Sequence, residues 1–376
     1  MDRKFYLDLA ASGACLPVGT DLVLKEHPDH HAILCNGNRL GAVLKEAAQR
    51  YQTPLALPVM DLALEKAALL SMLGVPVDHH DTYHFSECPT DHTMAMLRAH
   101  LTDPYDPRLG AQVDSIKWIV ANSDLVPVGM TIGPFSLMTK LLADPITPLY
   151  IAASGVRADQ DPEVQMIEHC LEMSLLIILR SLTAQIQAGA KMIFIAEPAA
   201  NIAFLSPNQI EAGSDIFDRY VIKYNQRLRS VLKAADVDLF FHCCGELIPY
   251  MVKKFCELDP AVLSLGSSRK LWEDAAIVPR TTVLYGNLPS KKFYSEELAP
   301  VDSVRRQADE LRAKMDASGH PFILGTECDI LSVPGHEKTI MSKVLAMIET
   351  ASRRRSAIQP PTSRLSQSPR DLAGVL

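Results

Sequence analysis

Two stretches far apart in the chain carry residue types that bind soft metal ions. In DLFFHCCGE, residues 238–246, an apolar run of Leu239, Phe240 and Phe241 ends in His242, Cys243 and Cys244, and Gly245 closes it before a helical pattern begins. In LGTECDI, residues 324–330, a second apolar run ends at Gly325 and is followed by Cys328. Side chains of a strand alternate between faces, so His242 and Cys244 point one way and Cys243 the other. One imidazole and two thiolates, from His242, Cys244 and Cys328, make the open three-ligand set of a zinc ion that keeps a coordination position for substrate. Taken one at a time, the same residues also read as buried cysteines packed as small hydrophobes beside a satisfied histidine.

Ligands so distant in sequence meet only if the fold brings the carboxyl ends of their strands together. Eight candidate strands are legible: residues 55–61, interrupted by Pro58; a weak one at 82–85; then 125–135, 192–198, 238–244, 261–268, 281–289 and 322–328. All but the weak second one are followed by a helical pattern. The longest of these helices, residues 162–188, repeats Met166, Leu171, Leu175, Ile178, Leu182 and Ile186 at helical spacing and stops at Gly189. Another, residues 301–317, is charged and amphipathic, with Glu310 and Lys314 spaced for pairing. Parallel strand-helix units of this kind build either an open sheet or a barrel. Asp61, Glu197, His242, Cys244 and Cys328 all fall at strand carboxyl ends, where a (β/α)8 TIM barrel assembles its site. The expected architecture is therefore a single (β/α)8 barrel over residues 54–351, an N-terminal extension at 1–53 and a flexible C-terminal tail at 352–376.

Composition narrows the function classes. With 48% hydrophobic and 22% charged residues the 376-residue chain is globular, and its net charge of -7 offers no surface for nucleic acid. No apolar stretch is long enough for a signal or a membrane span, so the expected location is the cytoplasm. Eight cysteines spread through the chain lack the density of a disulfide scaffold, which leaves thiols free for metal.

The segments MDLALEKAALL, TIGPFSLM, AGAKMIFIAEPAA, FFHCCGELIP and GTECDI together resemble the uroporphyrinogen decarboxylase superfamily, over about residues 50–350, and within it the corrinoid-dependent methyltransferase branch. That resemblance implies zinc on His242, Cys244 and Cys328. It also implies a corrinoid, or cobalamin, carried by a separate corrinoid protein that docks over the barrel mouth. The expected reaction moves a methyl group between that corrinoid and a small-molecule donor or acceptor, such as a methoxylated compound undergoing O-demethylation or a thiol. Glu197 is expected either as a displaceable fourth ligand or proton-handling group, or as a structural cap at its strand end. Met60, Asp61, Tyr83, His84 and Gly133 are expected to bind substrate. The decarboxylases themselves share an arginine-rich N-terminal stretch that grips carboxylates, and here Arg3, Arg39 and Arg50 stand far apart. Decarboxylation, with a cationic pocket and no metal, and a noncatalytic zinc-binding barrel closed by a fourth ligand are the alternatives.

Overall fold

An apolar run without polar alternation is stable as a strand when both its faces are covered. In the computed structural model, which describes residues 3–358, eight strands are of this kind or nearly so. They are β1 (Cys15–Leu16), β2 (Leu55–Ala56), β3 (Val126–Ile132), β4 (Met192–Ala196), β5 (Asp238–Cys243), β6 (Val262–Leu265), β7 (Val283–Leu288) and β8 (Phe322–Thr326). Every residue of β3, β4, β6 and β7 is buried. All pairings are parallel, and the ladder runs β1-β8-β7-β6-β5-β4-β3-β2. The curled sheet encloses one core, built from Val128, Met130, Phe194, Phe240, Val262 and Tyr285 among others. Its outer face packs Ile193, Ile195, Leu239, Phe241 and Leu263 against the surrounding helices. This is a TIM-barrel-like α/β fold in one domain.

Among the described residues no ladder joins β1 to β2. Side chains span that seam instead: the Thr20 hydroxyl donates to the Leu57 carbonyl at 2.7 Å, and the Tyr51 hydroxyl donates to the Gly19 carbonyl at 2.8 Å. The amino end of the barrel is closed by the helix Lys4–Ala11. Its fully buried Tyr6 donates to the Asp238 carboxylate at 2.9 Å, and Arg3 donates to the carbonyls of Pro260 and Thr281 at 3.0 and 3.1 Å.

Residues 1–53, expected to precede the barrel, thus supply its first strand and its floor. Residues 82–85, expected as a weak strand, contribute one isolated bridge, between Phe85 and Leu142. The reason is length: β1 has two residues between Gly13 and Pro17, too few to show a pattern, and it is made by pairing with Leu324 and Gly325 of β8. Pro58 lacks an amide proton, and β2 ends before it. At the other end the last helix, Glu337–Ile358, continues past residue 351 into the expected tail, whose remainder lies outside the described residues.

The helices form where their sequences direct. The longest, Pro162–Gln187, starts with Asp161 accepting from the amides of Glu163 and Val164 at 2.9 and 3.1 Å and has proline at its first position. In Val301–Ser318 the expected pair forms, with Lys314 Nζ 2.6 Å from Glu310. No helix among the described residues is long and apolar enough to cross a membrane.

One buried acid in the helix layer sets a pH dependence. Glu65 is 1% exposed, accepts a hydrogen bond from Ser181 at 3.0 Å, and is pushed up to about 7 by burial. A carboxyl raised on folding adds stability that is full below its ordinary value of 4.5 and lost as the pH climbs through about 7, at most about 3 kcal/mol. Glu65→Gln keeps the shape and removes the ionisation. Its melting temperature is expected at or below wild type at about pH 5 and several degrees above it at about pH 8, measured by thermal unfolding across that range.

Candidate metal centre

β5 delivers the first ligand by its register. His242 pairs with Ala196 of β4 and with Ser264 of β6, so His242 and Ser264 stand side by side on adjacent strands. The imidazole Nδ1 lies 2.8 Å from the Ser264 hydroxyl. With Nδ1 donating there, Nε2 keeps its lone pair, and that buried Nε2 has no hydrogen-bond partner in the protein. Cys243, one residue on, points the other way as alternation requires. Its fully buried thiol donates to the Ala200 carbonyl at 3.6 Å in the helix layer, and burial pushes it up.

Cys244 leaves the strand on the His242 side, where Gly266 makes room: a Cβ at that position would lie 2.6 Å from the Cys244 carbonyl oxygen. Cys328 comes from the loop after β8. That loop is held by the Glu327 amide donating to Leu288 O at 2.8 Å, by the Thr326 hydroxyl donating to Cys328 O at 2.7 Å, and by the Ser290 hydroxyl donating to the same carbonyl at 3.1 Å. The Glu327 carboxylate accepts from the Ser267 hydroxyl and amide at 2.6 and 3.2 Å and ties the loop to the end of β6.

One ligand atom from each of His242, Cys244 and Cys328 lies within 4.8 Å of the others. Tetrahedral zinc, with bonds of about 2.3 Å to sulfur and 2.0 Å to nitrogen, wants such atoms roughly 3.5 to 4 Å apart, a small contraction from this arrangement. The orphaned Nε2 and the chemistry of the donor set fit the ion. The two thiols are coupled. The Cys328 thiol hydrogen-bonds to Cys244 and lowers it, helped by His242 and Lys291 and opposed by burial, while Cys328 is raised by the same partner. The contact between the two sulfurs thus favours the thiolate on Cys244 and the thiol on Cys328, and a metal ion bound by both would displace the thiol protons.

The structure distributes the other expected residues widely. Met60 lines a cleft of about 420 Å³ together with Cys328. Asp61 faces a separate, much smaller pocket, pairs with Arg108 and accepts from the Ala63 amide at 3.0 Å. Tyr83 packs edge-on against Phe85, with ring centroids 5.3 Å apart, and His84 is exposed. Gly133 starts the helix Pro134–Leu141, where a Cβ would sit 2.0 Å from the Glu197 carboxyl carbon.

Glu197 itself turns outward, away from the three ligands. Its oxygens accept from the amides of Phe135 and Ser136 at 3.1 and 2.8 Å and from Asn225 at 2.9 Å, so a fully buried carboxylate caps that helix. Of the two roles the sequence left open, these contacts serve the structural one. Two residues near the centre escaped sequence reading. Ser264 carried a usable signal, since it is the inward residue of the strand beside His242. Lys291, which lines the cleft with Cys328, carried none, because a lysine in a loop is unremarkable until the loop is placed.

Two variants separate the groups. Ser264→Ala is expected to weaken zinc binding by about 10-fold or more while leaving one zinc per chain at saturation, as read by competition with a chromophoric chelator. Glu197→Ala strands three buried donors, at a cost of roughly 2 to 4 kcal/mol, and is expected to lower the melting temperature but retain the metal. Loss of zinc without loss of stability would assign Glu197 to the metal.

Comparison with known proteins agrees with this fold. The solved structure of a methyltransferase from Methanosarcina mazei superposes with a TM-score of 0.65, covering 94% of this chain and 98% of that one at 15% identity. No curated protein matches the chain. The family model described as uroporphyrinogen decarboxylase (URO-D) matches residues 56–353, from β2 into the last helix and across all three candidate ligands. By that match the chain belongs to the uroporphyrinogen decarboxylase family.

Proposed function

We propose that the chain is a zinc-dependent methyltransferase that moves a methyl group between a corrinoid on a partner protein and a small-molecule donor or acceptor, such as a methoxylated compound or a thiol. The observation that carries this reading is the bare, buried Nε2 of His242 converging with two thiols beside the cleft lined by Cys328. A three-ligand site leaves a position for substrate, whereas a structural zinc would have four protein ligands. His242, Cys244 and Cys328 form the only such group of three among the described residues. The Methanosarcina mazei structure that shares this fold is that of a methyltransferase, and the proposal takes that activity over to this chain.

Bound at this triad, zinc would supply Lewis acidity and lower the pKa of a thiol or hydroxyl in its open position. The chain's own residues do the rest. Ser264 fixes the imidazole tautomer and aims Nε2. Cys244, already inclined to the thiolate, presents a charged sulfur, and Cys328 gives up its proton when a metal enters. Met60, Leu62 and Leu331 give the cleft apolar walls suited to a methyl group. Corrinoid docking at the open mouth belongs to the same proposal. Decarboxylation of a polycarboxylate finds no support, since among the residues lining this cleft Lys291 is the sole cation.

Apoprotein prepared with a chelator is expected to stay folded, because the strands carrying the ligands are held by the barrel core, and to lose methyl transfer from donor compounds to cob(I)alamin. Zinc should restore it. X-ray absorption at the zinc edge is expected to change when donor or acceptor binds, and an unchanged zinc shell in a turning-over enzyme would make the metal a bystander.

A further inference from the structure

The Nε2 atom of His242 is not the only buried polar atom left without a partner. Asp329 is 6% exposed, and neither of its carboxylate oxygens has a hydrogen-bond partner in the protein. A second acid stands beside it. Asp21, 8% exposed in the first turn of the helix Thr20–Lys25, is the one charged group that acts on Asp329, and no cation among the described residues does so.

The donors around the two acids are spent elsewhere. Tyr51 and Tyr285 both feel the charge of Asp329, yet their hydroxyls donate to the carbonyls of Gly19 and Leu16 at 2.8 and 2.7 Å. The Ile330 amide donates to the Val18 carbonyl at 2.7 Å, and the Ser332 amide donates to an oxygen of Asp21 at 2.8 Å. The amides of Ile330 and Met60 each favour the Asp329 carboxylate by less than Asp21 disfavours it. A buried charge persists only when something pairs with it, and where no cationic side chain is at hand the partner is a metal ion. The place is the seam where no ladder joins β1 to β2. Asp21 follows β1 and Asp329 follows β8, so an ion held by both would fasten the loop of Cys328 to the helix beyond β1.

We infer that Asp21 and Asp329 form a second cation site, with ligands distinct from the triad of His242, Cys244 and Cys328: an all-oxygen site for a hard divalent ion, calcium in preference to magnesium. Carboxylate oxygens suit a hard ion and not the soft one that thiolates select. Two carboxylates balance its charge. Their burial leaves little room for the waters that magnesium keeps, whereas calcium accepts a shell made mostly of protein oxygens. The site stands apart from the methyltransferase reading, since neither acid belongs to the triad.

Calorimetric titration of the zinc-loaded, calcium-free full chain tests this, with zinc held at one per chain throughout. Calcium is expected to bind at one ion per chain, roughly 10-fold or more tightly than magnesium, and to raise the melting temperature by several degrees. Asp21→Asn and Asp329→Asn keep the shape and remove the repulsion between the acids. Each variant is expected to melt at or above wild type without calcium, which shows that it folds, to bind calcium about 100-fold more weakly and to gain no stability from it. No binding to wild type, a preference for magnesium, or calcium binding that survives both substitutions overturns the inference. Absent binding together with raised melting temperatures in the variants assigns the pair a shared proton in place of an ion.

Discussion

The candidate centre depends on the register of one parallel ladder. Ala196, His242 and Ser264 stand abreast on β4, β5 and β6, and the pleat sends His242 inward and Cys243 outward. A slip of one residue would exchange them, putting an imidazole among the helices and leaving Nε2 nowhere near Cys244. The register resists slipping because both faces of β5 are buried. Phe240 packs inside against Phe194 at 4.4 Å between ring centroids, and Phe241 packs outside against Phe255 at 4.8 Å. Reversing the faces would have to reverse both sets of contacts at once.

Above the strands, control passes from the ladder to a few buried polar groups that fasten the loops. Glu327 holds the Cys328 loop to Ser267, Ser290 holds the next loop to Cys328, and Lys343 holds that loop to the last helix. Each of these groups is buried or nearly so, and each would be costly to leave unpaired. The mouth is therefore built from loops whose backbone is fixed by side chains, an arrangement that lets them carry chemistry without becoming mobile. Glu197 belongs to the same category on the opposite face. Its carboxyl sits at a helix amino terminus, where burial raises it and the amides of Phe135 and Ser136 work against that rise, and Gly133 permits the approach.

Coupling between the two thiols gives the metal-free site its electrostatic character. The Cys244 thiol is lowered by Cys328, by His242 and by Lys291 against its burial, and Cys328 is raised by the same contact. A divalent ion held by both sulfurs would release the thiol protons, so metal uptake at this site would depend on pH.

Local pattern was enough for much of this. Apolar runs marked seven of the eight strands near their observed places, β1 being the one missed, and alternation along β5 separated His242 from Cys243 without any knowledge of the neighbours. The spacing of Glu310 and Lys314 and the proline-led start of Pro162–Gln187 were likewise legible, since both depend on residues within one turn of each other. What the chain could not declare locally was whatever long-range pairing creates. β1 exists because two residues find β8, residues 82–85 fail as a strand because no neighbour accepts more than Phe85, and Glu197 caps a helix sixty residues earlier. Lys291 is the extreme case: a lysine in a polar loop has no pattern of its own, and only the contacts of Ser290 and Lys343 with distant segments put its charge beside the two thiols.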